Sequence, residues 1–331
     1  MKIKVGQVGV GHLGARHCAA LAEILEAELI GIFDIDFERS RQVAQTYEVK
    51  VFTDLEELLA QVQALIVAVP TCHHFEIVQA ALTNKVHVFV EKPITATVAE
   101  ADELIRLTEN NHLVLQVGHI ERFNPAWQAL ASESLNPRFI ESHRLASFNP
   151  RGTDVSVVLD LMIHDLDLIL HLVPSTIKKI DASGVSVVSP EIDIANARIL
   201  FENGCVANVT ASRISQKKLR KMWLFQKDAY ISIDFFQRIS EAFKLVKQPV
   251  STKNDQVFSL NAIDRSSSNK QIVYERLAEG IHDPLKMELK AFLKSVYSGE
   301  KPLVDGITGK KVLELAIEII KIIEQQTSLL V

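Results

Sequence analysis

Cysteine is scarce here: Cys18, Cys72 and Cys205 are the three in 331 residues, far apart and in no metal-type spacing. The sequence therefore predicts no metal site, and a reducing cytoplasm is its expected setting. Each cysteine reads as a small buried hydrophobe. No apolar run is long enough to cross a bilayer, so no membrane association is expected. The first strand starts directly after Met1, which leaves no expected room for a signal peptide. Excess basic charge is absent too. Lys and Arg number 36 against 41 Asp and Glu, a net charge of −5. No Lys/Arg block interleaves with aromatic residues, so nucleic acid is not an expected partner. Internal repeats and low-complexity tracts are also missing.

What is present fits a soluble globular chain, with 47% hydrophobic and 23% charged residues and enough length for two domains. The first part alternates short apolar strands (Lys4–Val8, Glu28–Phe33, Ala64–Val69, Val86–Val90, Leu113–Val117) with helical stretches (Ala15–Ala27, Phe37–Thr46, Leu55–Gln61, His74–Thr83, Val98–Glu109). That alternation predicts a doubly wound parallel sheet, a Rossmann domain over residues 1–121. Asn84 and Asn110-Asn111 mark helix ends where a left-handed residue is tolerated. After about Ile120 the pattern changes. Phe139–Phe148 alternates apolar and polar residues, Ser156–Leu172 reads as an apolar helix, and extended stretches follow at 177–188, 194–201, 205–213, 221–225, 229–234 and 242–246. Strands in succession predict an open, mostly antiparallel sheet in a C-terminal α/β domain, residues 122–331. Glu202-Asn203-Gly204 is the expected turn of a hairpin. Ser266–Asn269 reads as a polar loop, and helices over Pro284–Ser298 and Gly309–Gln326 close the chain.

Gly9-Val10-Gly11-His12-Leu13-Gly14 follows the first strand at once and opens a helix. Gly9 permits the tight turn, Gly11 lets backbone approach a pyrophosphate, and Gly14 lets helix and strand pack closely. The helix N-terminus offers its N–H groups to phosphates. Asp34 lies 20 residues after Gly14, the spacing of a ribose-binding carboxylate. A carboxylate there accepts from a 2′-OH and repels a 2′-phosphate, so NAD is expected rather than NADP.

Glu91-Lys92-Pro93 ends the strand Val86–Val90, where ligands of an open parallel sheet bind. Pro93 confines Lys92 to extended backbone, and an ammonium there would stabilise the alkoxide that develops as hydride leaves carbon. Pro70-Thr71-Cys72-His73-His74 rims the same strand ends, with His74 a candidate cofactor contact or a helix-capping residue. Asp160 and His164 stand four apart in an apolar helix and share a face, which Asp167 and His171 continue. Ionisable groups in an apolar helix are costly unless paired or working. A catalytic pair, a satisfied core network and a zinc site are the three readings, the last lacking an obvious third ligand.

Together these elements resemble the glucose–fructose oxidoreductase/inositol dehydrogenase/rhizopine catabolism family (Gfo/Idh/MocA), over essentially the whole chain. Glu91-Lys92-Pro93 is similar to its Glu-Lys-Pro motif, Asp160-x-x-x-His164 to its Asp/His pair, and Pro284–Leu289 and Pro302 to Ala316 to its closing helices. The resemblance implies that Lys92, Asp160 and His164 surround the carbinol being oxidised. His164 would take the hydroxyl proton, Lys92 would hydrogen-bond the same oxygen, and Asp160 would orient substrate or His164. The implied cofactor contacts are Gly9, Gly11, His12, Leu13, Gly14, Asp34, Pro70, Thr71, His74, Glu91 and Lys92.

Val117–Ala126 is similar to a stretch in bacterial members acting on nucleotide sugars, the UDP-N-acetylglucosamine 3-dehydrogenases, which supply a 3-keto sugar for lipid A. Arg213, Lys217, Lys218, Arg220 and Lys221 form the densest basic segment, either a diphosphate site or a lysine-protected strand edge. The expected substrate contacts are Lys92, Arg122, Asn124, Asp160, His164 and Arg213. A free-sugar or myo-inositol dehydrogenase is the nearest alternative, and a non-catalytic NAD/sugar-sensing regulator the alternative of another class. An open sheet whose helices cannot cover both faces predicts a homodimer or homotetramer.

Overall fold

The structure is a computed structural model that describes residues 2–149, 152–246, 257–262, 271–279 and 282–328. The chain divides into two compact units. The first comprises Met1–Ile120 and Asp283–Glu314, and the second Glu121–His282 and Leu315–Val331.

In the first unit the elements run β1 (Ile3–Val8), α1 (His12–Ala22), β2 (Ala27–Phe33), α2 (Phe37–Tyr47), β3 (Lys50–Val51), α3 (Leu55–Leu59), β4 (Ala64–Val67), α4 (His74–Thr83), β5 (His87–Glu91), α5 (Val98–Asn111) and β6 (Leu115–Gly118). The strands are parallel in the order β3-β2-β1-β4-β5-β6. That order reverses direction between β1 and β4, the point where a doubly wound sheet opens a crevice. Every residue of β4 and β6 is buried, as expected of parallel strands covered on both faces. Local chemistry sets the helix starts. Asp36 and Asp54 accept from the N–H groups of Arg39 and Glu56, and Thr97 and Glu100 form a reciprocal capping box at α5. The left-handed positions sit one residue beyond the asparagines: Lys85 (φ 63°) and His112 (φ 53°) take them, while Asn84 remains at φ −80°. α1 begins and ends earlier than its expected Ala15–Ala27 span, since Gly11 rather than a later residue is its cap.

The second unit follows with α6 (Pro125–Gln128), β7 (Phe139–Leu145), a π-helical turn Val158–Met162, α7 (Ile163–Leu172), β8 (Ile177–Val185), β9 (Ile194–Phe201), β10 (Val206–Ser212), β11 (Leu219–Gln226), β12 (Ala229–Asp234), β13 (Ile239–Val246), β14 (Val257–Ala262) and β15 (Gln271–Glu279). Among the described residues these form a nine-stranded sheet in the order β14-β15-β13-β12-β11-β7-β10-β9-β8. Its pairs are antiparallel except β7 with β10. The Gly204 turn (φ 82°) joins β9 to β10 as expected. β14 and β15 were not foreseen, and the expected Ser266–Asn269 loop lies outside the described residues. The expected single helix over Ser156–Leu172 is instead a π turn followed by α-helix.

The chain ends with α8 (Pro284–Ser298) and α9 (Gly306–Ser328). Asp283 caps α8, with Pro284 at its first position. Leu285, Leu289, Phe292 and Leu293 of α8 join the buried cluster of Val5, Leu21, Ile66 and Phe89. Each such large side chain contributes about 1.5–3 kcal/mol on burial. This packing carries 283–314 into the first unit, although the sequence pattern assigns that segment to a domain spanning 122–331.

Candidate active site

The candidate cofactor residues of the first unit are mainly backbone. Gly9 turns at φ 80°, and a Cβ there would stand 2.5 Å from the Ala68 carbonyl oxygen. At Gly14 a Cβ would fall 1.9 Å from the Gly9 carbonyl oxygen, so α1 and β1 approach as closely as only glycine permits. Gly11 differs: a Cβ there would meet nothing within 4 Å, and as the N-cap of α1 it provides no side-chain cap. Bare backbone at an uncapped helix N-terminus fits a pyrophosphate. Asp34, half-buried at the end of β2, accepts from the N–H of Val10 (2.7 Å) and of Asp36 (2.9 Å). Its oxygens keep lone pairs for ribose hydroxyls. Arg39 is paired with Asp36 at 2.9 Å and Arg41 with Glu38 at 3.6 Å, so the nearby arginines are engaged by acids, which favours a free 2′-OH over a 2′-phosphate. These residues fit NAD.

His12 and Leu13 open α1, the first exposed and the second half-buried. Pro70 is exposed before the tight turn Thr71–His73. Lys92 is half-buried just past β5, joined to Pro93 through a cis peptide bond. Two expected cofactor contacts are placed otherwise. His74 is 1% exposed, and its ring nitrogens lie 2.8 Å from the Pro93 carbonyl and 3.0 Å from the Val69 carbonyl. Burial holds its pKa below the usual histidine value, against the contrary pull of those carbonyls and Glu91. Glu91 is buried and faces His17 at 2.8 Å. His74 is thus engaged by buried carbonyls, and Glu91 is paired with a buried histidine while 11% of its side chain stays exposed.

The candidate groups of the second unit are side chains. Asp160 on the π turn and His164 on α7 are half-buried, the placement expected of working groups. π turns inside helices recur at functional sites. Asp165 and Asp167 of the same helix are buried in ion pairs. Arg122 donates to both carboxylate oxygens of Asp167 at 2.6 and 2.9 Å. Arg144 donates to Asp165 at 2.9 and 3.0 Å and to Glu121 at 2.8 Å. Burial disfavours the Arg144 charge, but Asp165 and Glu121 outweigh it and raise its pKa above the usual arginine value. His171 is exposed, its ring centroid 6.2 Å from that of Trp127. The face expected to run from Asp160 to His171 is thus divided into a half-open pair and a buried ionic network.

That network overturns the expected substrate roles of Arg122 and Asn124. Arg122 is 3% exposed against Asp167. Asn124 is 4% exposed; it accepts from the Ala126 N–H to cap α6 and donates to Glu121 and the Phe235 carbonyl. Arg213 is 5% exposed and donates to the carbonyls of Gly152 (2.6 Å) and Val155. It lines a cavity of ≈ 300 Å³ shared with Asn149, Asp160, Lys218, Arg220 and Phe236. There the exposed Lys218 and Arg220 supply the accessible positive charge. Lys221 is instead paired with Asp234 at 3.1 Å. Reading the sequence missed His17, Glu121, Arg144 and Gln7, whose Nε2 donates to the Gly9 carbonyl at 2.8 Å. His17 carried a signal, falling on the buried stripe of α1 with Gly14 and Leu21.

Residues 3–119 match the GFO/IDH/MocA oxidoreductase family, NAD-binding Rossmann fold, and residues 131–231 match the GFO/IDH/MocA C-terminal domain. A UDP-N-acetylglucosamine 3-dehydrogenase of Acidithiobacillus ferrooxidans is 34% identical over 322 residues, 96% of each chain. Its solved structure superposes with a TM-score of 0.87, covering 98% of this chain and 99% of that one. A myo-inositol 2-dehydrogenase of Thermotoga maritima is 28% identical over 98% of each chain. The chain belongs to the Gfo/Idh/MocA oxidoreductase family and carries its NAD-binding Rossmann fold. Among the described residues no helix is long and apolar enough to cross a membrane.

Proposed function

We propose that this protein is a cytoplasmic NAD-dependent dehydrogenase that oxidises a secondary hydroxyl of a UDP-amino sugar, as a UDP-N-acetylglucosamine 3-dehydrogenase does. The observation that carries this reading is the ≈ 300 Å³ cavity in which Asp160 stands with Lys218 and Arg220. A diphosphate needs such cations, and a neutral cyclitol does not. NAD, when bound at Gly9, Gly11, Gly14 and Asp34, supplies the hydride acceptor. His164 accepts the hydroxyl proton, the role for which an imidazole is the commonest side chain. Lys92 hydrogen-bonds the same oxygen and stabilises its developing negative charge, and Asp160 orients His164 or the sugar.

The test is NADH absorbance on mixing the protein with NAD and either UDP-N-acetylglucosamine or myo-inositol, with hydroxylamine present to trap ketone. A rise with the UDP sugar alone is expected. A rise with inositol alone, the reaction named for the Thermotoga maritima relative, would keep the chemistry and overturn the substrate. No rise with either substrate would favour a sensor.

The protein acts as a homodimer or homotetramer in this reading. Phe139, Phe225, Tyr230, Phe243 and Tyr274 lie opposite one another across β7, β11, β12, β13 and β15, with ring centroids 5.2 to 5.6 Å apart. These rings are half-buried or, at Phe225, exposed, an apolar row suited to a second copy. Light scattering on a sizing column should show an oligomer that Phe225→Glu weakens; a wild-type monomer would defeat it.

A further inference from the structure

Two buried histidines hold the residues on either side of Lys92. His17 of α1 is fully buried with its Nε2 2.8 Å from Glu91 Oε1, and its ring stands edge-on to Phe89 at 5.4 Å between centroids. Gly118 leaves room for that carboxylate, since a Cβ there would stand 3.1 Å from Glu91 Oε2. His74, in the first turn of α4, lies 2.8 Å from the Pro93 carbonyl through Nδ1 and 3.0 Å from the Val69 carbonyl through Nε2. The residue before Lys92 is therefore tied by its side chain to α1. The residue after it presents its carbonyl to His74 of α4, whose neutral ring carries one N–H and donates either to that carbonyl or to the Val69 carbonyl.

We propose that His17 and His74 are positioning residues for Lys92, fixing the backbone from which its ammonium reaches the reacting hydroxyl. A lysine side chain is long and rotamer-rich, so where its ammonium reaches depends on where the backbone starts it. Displacing a reacting group by about 1 Å can cost about 10²-fold in rate. His17 also stands on the helix whose N-terminus fits the pyrophosphate, so its contact with Glu91 links that end of the cofactor site to Lys92. This inference rests on the reading of Lys92 as the group beside the hydroxyl.

The test compares His17→Ala and His74→Ala with His17→Gln and His74→Asn, which keep a donor near Nε2 and Nδ1 respectively. Trace acetylation of all lysines, read by mass spectrometry with and without NAD, reports the reactivity of Lys92 relative to the other lysines. The alanine variants should shift that ratio and lower kcat by about 10²-fold with KM for NAD little changed. The amide variants should recover most of both. Unchanged Lys92 reactivity in the alanine variants overturns the proposal, as does an equal shift in the alanine and amide variants, since a merely structural role predicts that pattern. A shifted, amide-rescued reactivity with wild-type turnover would leave the positioning standing and remove Lys92 from the chemistry.

Discussion

Asp34 and Asp165 are both carboxylates beside a candidate binding site, but they are held differently. Asp34 is half-buried and accepts from two backbone N–H groups, those of Val10 and Asp36. Asp165 is 1% exposed and faces a guanidinium, that of Arg144. The same contrast separates the two units. The first makes its site from glycine backbone, a helix start and strand ends. The second pins the helix bearing Asp160 and His164 with buried ion pairs and leaves that pair half-open. A site built from backbone tolerates little at its glycines, whereas one built from ion pairs depends on every charge keeping its partner.

Removing the tightest contact on each side should have the largest effect. Gly14→Ala places a Cβ 1.9 Å from the Gly9 carbonyl oxygen and should destabilise the protein by more than about 4 kcal/mol. Arg144→Met leaves Asp165 and Glu121 buried without their cation and should lose about 3–5 kcal/mol. Urea unfolding measures both, and stability within about 0.5 kcal/mol of wild type in either would break that side of the comparison. Next in size, Lys218→Ala and Arg220→Ala should each weaken binding of the UDP sugar by about tenfold, about 1.4 kcal/mol, in calorimetric titration. Unchanged affinity would return these residues to the role of a solvated strand edge.

Gly11→Ala sharpens the contrast within the first unit. Its φ of −62° suits alanine and no atom lies within 4 Å, so stability should hold while NAD affinity falls about tenfold. A loss of stability comparable to that of Gly14→Ala would show that the two glycines share one role. The smallest effect is on pH. Burial lowers the pKa of His74 and of His87, so both prefer to be neutral in the folded protein. The unfolded chain binds protons near the usual value of about 6.5. Stability should therefore be intact above that pH and decline as pH drops below it. Melting temperatures from pH 7.5 to 5.5 check this, and His74→Asn should flatten part of the slope.

Much of the first unit was legible because strand–helix alternation and glycine spacing are local. Gly9 and Gly14 stand where only glycine fits, and Asp34 and Lys92 stand at the strand ends where they were expected. Arg122 and Asn124 depart from expectation because a charged or polar residue in a motif looks the same whether it meets a ligand or a buried partner. Arg122 finds Asp167 at a separation of 45 residues, and Arg144 finds Asp165 at 21. No window of local sequence contains those pairings. His74 was misplaced for a similar reason, since its partner Pro93 lies 19 residues on. β14 and β15 were missed because their alternation is weak and their identity comes from pairing with each other and with β13.

The ionisable groups divide into half-open ones proposed for the chemistry and buried ones that hold the fold. Single-turnover NADH formation by Lys92→Ala and His164→Ala, beside Arg122→Met and with thermal melting of all three, tests that division most directly. Lys92→Ala and His164→Ala should each slow the step by about 10²–10⁴-fold while melting as wild type, and Arg122→Met should lose its stability first. Wild-type rates in both Lys92→Ala and His164→Ala would contradict the account.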